Sequence, residues 1–315
     1  APACLLRAAA VLTSGDFIDP ANVTQYLGGQ LSVRGNYLPS TGTAYTINGS
    51  GVVELLGTSG RLDATAAPGA PALTFGQNGN MTVRAASGGT IAVPSGQVRA
   101  GVTAGHHGEI SVKPSSSFTA SDVVLGGVGT GRLVVEGGGT ATVANCAVAV
   151  NSSVVAVGSG ALIDIDSLSL EGSGGTDASR VTATAGGRVH VVGISEGTNA
   201  VVAMDGELSV FECDTTLELT RSMIQMTGGT LRTPALNLGS AGPNQVGGVI
   251  EGLFRVAASS ASATITDLTI NAPSGFGGSL ANSGTIDVQG VLRVNQDANT
   301  WFLGNATLGP NSRVE

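Results

Sequence analysis

A five-residue phrase recurs along this chain: a glycine, a variable residue, an aliphatic, another variable residue and a second aliphatic. It reads Gly29-Gln30-Leu31-Ser32-Val33, Gly108-Glu109-Ile110-Ser111-Val112 and Gly131-Arg132-Leu133-Val134-Val135. It returns from Gly187 to Val191, from Gly206 to Val210 and from Gly284 to Val288, with looser copies from Gly89 to Val93 and from Gly229 to Arg232. An aliphatic at every second position is the period of a strand with one buried face. Between the strong copies lie further aliphatic pairs, Val148 with Val150, Leu168 with Leu170 and Leu236 with Leu238. Each repeat therefore holds two or three short strands, joined by turns whose glycine and Asn accept positive φ. Counted by leading aliphatics, Val189, Leu208 and Leu231 follow one another at 19 and 23 residues.

The turns argue against antiparallel pairing. Asn-Gly, the strongest hairpin signal, occurs only at Asn48-Gly49 and Asn78-Gly79, where a sandwich of this length would show many hairpin turns and longer strands. Coils of about 20–25 residues, each laying three short strands on those of the next, satisfy the pattern. The expected fold is all-β, a right-handed parallel β-helix (solenoid) of about a dozen coils. Its core must be made of small side chains in rows, because hydrophobic residues reach 42% while aromatics are only 3%. The 49 glycines do not signal disorder, since Val, Ile and Leu recur along nearly the whole length.

Three segments are expected. Residues 1–26 form an N-terminal cap, in which Leu5 to Leu12 is a run of good helix formers. Residues 27–294 form the β-helix. Residues 295–315 form a last coil or assembly segment, where Trp301 and Phe302 are the only adjacent aromatic pair and the phrase through Val314 reads as an uncapped strand, to be covered by another subunit or by further sequence.

The net charge of −8, with Lys113 as the sole lysine and no basic run, leaves nothing to neutralise a row of phosphates, so no nucleic-acid partner is expected. No apolar stretch reaches the ~18 residues of a transmembrane helix. The start Ala1-Pro2-Ala3-Cys4, without an initiator Met, reads as a mature end left by signal-peptide removal, which places the protein outside the cell or on its surface. Of three cysteines, Cys146 and Cys213 lie 67 positions apart. That is about three coils, or roughly 14 Å, beyond the ~7 Å reach of a disulfide. They are read as small buried hydrophobes, and Cys4 as the candidate for a bond between chains.

Leu125-Gly126-Gly127 followed by Gly129-Thr130-Gly131-Arg132-Leu133-Val134-Val135-Glu136-Gly137-Gly138-Gly139-Thr140 resembles the glycine-rich repeat of autotransporter passenger domains and related bacterial extracellular β-helix proteins. The likeness is strongest over about residues 120–170 and is one of pattern alone over 27–294. It implies a surface or secreted β-helix and no particular activity. The 315 residues do not include the C-terminal membrane barrel of the autotransporter layout.

Parallel β-helices also carry polysaccharide lyases and hydrolases, which need converging carboxylates, often a metal, and a base. The supply here is thin. Asp164 and Asp166 share one strand face, with Glu136 and Glu171 on nearby coils, and two outward carboxylates can bind Ca²⁺. The commoner reading is a solvated face. His106-His107 occupies a glycine-flanked turn, and His190 alternates with inward valines and should face outward. Gly172-Ser173-Gly174-Gly175-Thr176-Asp177 resembles one imperfect calcium-binding nonapeptide, a motif that works in tandem copies. Asn-x-Ser/Thr sequons start at Asn22, Asn48, Asn80, Asn151 and Asn305. No catalytic or cofactor-binding residue is assigned. The leading expectation is a self-assembling structural subunit of a fibre, sheath or surface layer, joined end to end through Trp301, Phe302, Val314 or Cys4. A monomeric adhesin touching surface polysaccharide through Tyr26, Tyr37 and Tyr45 is the alternative, and a polysaccharide-cleaving enzyme working through Asp164 and Asp166 is the third.

Overall fold

The computed structural model describes residues 5–6, 10–12, 17–18, 24–38, 45–171, 178–196, 199–240, 242–271, 280–295 and 304–315, with backbone alone before residue 29 and at residues 38 and 196. The described residues form strands and turns and no helix. The strands are parallel and stack as a β-solenoid of about 11 turns. The chain divides into two compact units, Ala1–Ser169 and Leu170–Glu315.

In the first unit every turn lays down three strands, and inward side chains stack into three ladders. One ladder runs Leu31, Val53, Val83, Ile110, Leu133 and Val154. The next runs Tyr37, Leu62, Ile91, Phe118 and Ala141. The third runs Tyr45, Leu73, Val98, Val123 and Cys146. All are buried, and each full-sized aliphatic or aromatic contributes about 1.5–3 kcal/mol over an exposed position. A slip of one residue would turn a whole rung inside out, so the alternation itself fixes the register.

The second unit repeats the scheme. Ala183, Met204, Met226, Val246, Ile265, Val288 and Leu308 stack in one ladder. Val189, Phe211, Leu231, Ile250 and Ile270 form another. Leu217, Leu236, Phe254 and Leu280 form the third.

Several strands are longer than the repeat implied, because they run through a corner and serve two ladders. Thr90–Ala100, Ser117–Leu125 and Thr140–Val148 do this. In Thr90–Ala100 the pairing shifts between Val93 and Gln97, the local irregularity by which one strand bends into two faces.

The phrase at Gly206 was misread. Residues 206–209 form a turn, Leu208 is 77% exposed, and the strand is Val210–Cys213 with Phe211 and Cys213 inward. The leading glycine of the true copies has a spatial cause. A Cβ on Gly108 would lie 2.3 Å from the Gly101 nitrogen, and one on Gly131 would lie 2.2 Å from the Gly126 nitrogen. At these two rungs the strand passes hard against the backbone of the turn before it, and only glycine fits.

The N-terminal run is not helical where it is described. Leu5–Leu6 and Ala10–Leu12 are strands paired in parallel with Tyr26–Leu27 and Leu31–Val33. Pairing onto an existing ladder outweighs the few tenths of a kcal/mol per residue that favour a helix. Neither Asn-Gly closes a hairpin: Asn48-Gly49 lies inside the strand Tyr45–Leu56, and Asn78-Gly79 lies in a bend between parallel strands.

Candidate functional site

One set of polar residues converges on the outer surface of the first unit, where the strands of its Leu31 ladder begin. The backbone N–H of Asn80 donates to Ser50 Oγ at 3.2 Å, and that of His107 donates to Asn80 Oδ1 at 2.9 Å. His107 Nδ1 then meets Thr130 Oγ1 at 3.0 Å. Ser50, Asn80, His107 and Thr130 thus form a column, each joined to the next turn.

Beside it runs a second set of contacts. Glu109 Oε2 faces His107 Nε2 at 3.8 Å and Arg132 Nη1 at 3.5 Å. The His107 ring above all, and Arg132 after it, hold the half-buried Glu109 carboxyl below the usual carboxylate range, against burial, which acts the other way. Lys113 pairs with Glu136 one turn on. Glu54 takes Arg84 at 3.4 Å from one side, and Gln30 and Ser32 from the other at 2.9 and 3.1 Å. In the second unit Arg188 pairs with Glu212, His190 Nε2 lies 3.1 Å from Asp214 Oδ1, and Arg232 Nε lies 2.7 Å from Glu251 Oε2.

Chemically, His107 set between a hydroxyl and a carboxylate has the residue types of a proton relay. The geometry is that of a tie between turns, because 3.8 Å is too long for a hydrogen bond and the ring is committed to Thr130. His107 opens the strand His107–Val112 instead of lying in the expected turn, which brings it to Thr130 of the next turn. Across this one turn the offset is constant, with His107 and Thr130, Lys113 and Glu136, and Asp122 and Asn145 each 23 residues apart.

The surface has shallow hollows. One in the second unit, of roughly 490 Å³, is lined by Gly228, Gly229, Gly248, Glu207, Gln245 and Asp267 among others. Asp164 is half-buried and Asp166 exposed, alternating with inward Ile163 and Ile165 on the strand Leu162–Leu170. No group of three or more His, Cys, Asp or Glu able to hold a metal ion occurs among the described residues. Val314 is half-buried in the strand Arg313–Val314, opposite Leu292.

Two of the three expected glycan-contact residues are corrected. Tyr37 and Tyr45 are each 1% exposed, their rings edge to face at 5.8 Å and their hydroxyls hydrogen-bonded to each other. Both rings fill the interior near the start of the first unit, where one hydroxyl donates to the other and neither reaches the surface. Tyr26 lies in the strand Thr24–Val33, with its side chain outside the described residues, as are Cys4, Trp301, Phe302 and residues 172–177. Cys146 and Cys213 are free and buried. Burial pushes the Cys146 thiol up to about 12 and raises that of Cys213.

Strands in parallel register, small aliphatics in ladders and polar side chains tied from turn to turn define a parallel β-solenoid. Comparison with family models, with curated proteins and with solved structures finds no match to the chain.

Proposed function

We propose that this chain is an extracellular structural solenoid that associates with copies of itself, as the subunit of a fibre, sheath or surface layer. The observation that carries the reading is an open ladder. Val288 is fully buried beneath the strand Asn305–Leu308, whereas Leu308, the next residue of the same ladder, is 56% exposed. A parallel strand from a second copy, laid on Asn305–Leu308, would cover Leu308. Leu5–Leu6 and Ala10–Leu12, which pair in parallel with Tyr26–Leu27 and Leu31–Val33, offer strands of the same direction in a second copy. The pairing of surface charges between turns suits this role, since it ties each turn to the next.

The test is electron microscopy of the purified chain, with Leu308→Lys beside it. Filaments or sheets from the parent, lost in the variant while the circular dichroism and melting curve persist, support the reading. Isolated particles at every concentration of the parent overturn it, and so does unaltered assembly by the variant.

A further inference from the structure

We propose that Asn78 is a site of spontaneous covalent modification: intramolecular deamidation through the Asn78-Gly79 pair. The chemistry needs an asparagine followed by a residue whose side chain does not block approach of its own backbone nitrogen to the amide carbon. Two such pairs exist here, Asn48-Gly49 and Asn78-Gly79, and the fold treats them in opposite ways.

Asn48 is 5% exposed inside the strand Tyr45–Leu56, and Tyr26 and Leu27 stand opposite Asn48 and Gly49 in the ladder. A ladder position fixes the backbone and keeps hydroxide away. Asn78 is exposed in a four-residue bend, residues 76–79, that no ladder holds. The amide nitrogen of Gly79 gives its proton to a solvent base and attacks Cγ of Asn78. The Cγ–Nδ2 bond breaks, ammonia leaves and a five-membered succinimide remains. Water then opens the ring at either carbonyl, yielding aspartate or isoaspartate. No oxidant or reductant is needed.

The fold has a use for both members of the labile pair. A Cβ on residue 79 would lie 2.3 Å from the Gly49 carbonyl oxygen, so glycine is required there for the close approach of two turns. Asn78 Nδ2 donates to Asn48 Oδ1 at 3.2 Å, joining the same two turns. Deamidation replaces that donor with a carboxylate that has no proton to give, and isoaspartate lengthens the main chain by one carbon between two stacked turns. The contact that fixes the bend is thus the one the reaction removes.

The experiment follows both sites by peptide mapping and mass spectrometry while the folded chain stands in mildly alkaline buffer, with the urea-unfolded chain as the reference. In the folded chain Asn78 is expected to convert on the order of ten-fold faster than Asn48, a gap set by local opening, while in the unfolded chain the two rates converge. Asn78→Gln should abolish conversion at that position and leave Asn48 slow. Equal rates at the two sites of the folded chain overturn the proposal, as does an Asn78 that folding protects as strongly as it protects Asn48.

Discussion

The hydroxyl oxygen of Ser152 accepts the backbone N–H of Gly131 from the neighbouring turn, at 3.0 Å. Ser116 does the same for Gly88 and Ser209 for Gly186, each at 3.1 Å. All three serines are buried. They stand where a turn gives way to a strand, so a side chain supplies the acceptor that the ladder does not.

Removing one such acceptor strands a donor inside the protein. Ser152→Ala leaves the Gly131 N–H without its partner and should cost about 1–3 kcal/mol. Equilibrium urea unfolding reads this directly, and a loss under about 0.5 kcal/mol, the size of an ordinary surface change, would show that water replaces the hydroxyl.

The register at Phe211 is testable by a pair of variants. Leu208→Ser alters an exposed turn residue and should change stability by no more than about 0.5 kcal/mol. Phe211→Ala opens a hole between Val189 and Leu231 and should cost about 3–5 kcal/mol. The opposite ranking in thermal or urea melts would restore the reading in which Leu208 points inward.

Acid should weaken the first unit through Glu109. Its folded pKa lies below the ordinary value, so the unfolded chain binds the proton more readily. The stability it lends is complete above the unfolded pKa of about 4.3 and drains away as pH falls through the lower folded value. Glu109→Gln should therefore be slightly less stable than the parent at neutral pH, by a fraction of about 1 kcal/mol, and should lose less on acidification. Parallel melting curves of the two proteins across the acid range would refute the assignment.

Cys146 should be chemically silent in the folded chain. Burial raises its pKa to about 12, which keeps the thiol protonated and therefore poorly nucleophilic. The neutral form contributes its full stability below the unfolded value of about 8.5, and that contribution declines as pH rises above it. Iodoacetamide labelling followed by peptide mapping should find Cys146 unmodified until denaturant is added. Labelling of the native chain at the rate of a free thiol would mean that this part of the core opens readily.

Period and composition made the fold legible. Alternating aliphatics at Leu31 and Val33, Ile110 and Val112, and Leu133 and Val135 identify inward ladder positions, and all six are buried. Where the phrase failed, at Gly206, a turn happened to copy the spacing, and Phe211 was passed over because a bulky aromatic replaces the aliphatic. The polar contacts were less legible because they depend on the length of each turn. That length goes from 22 to 30, 27, 23 and 21 residues along the first unit, so a partner can be named only after the register is known. Tyr37 and Tyr45 read as glycan contacts because exposed aromatics commonly touch sugars, and nothing local announces that the two hydroxyls meet inside the core.

The changing turn length has a consequence for how such a chain can vary. The ladders keep step while a turn gains or loses as many as nine residues, which means that the corners absorb the difference and the core does not register it. Length is therefore a free variable at the corners and a forbidden one within the strands. New segments can be grafted at the corners as passengers, and a lineage built this way could diversify its exterior while inheriting its interior unchanged.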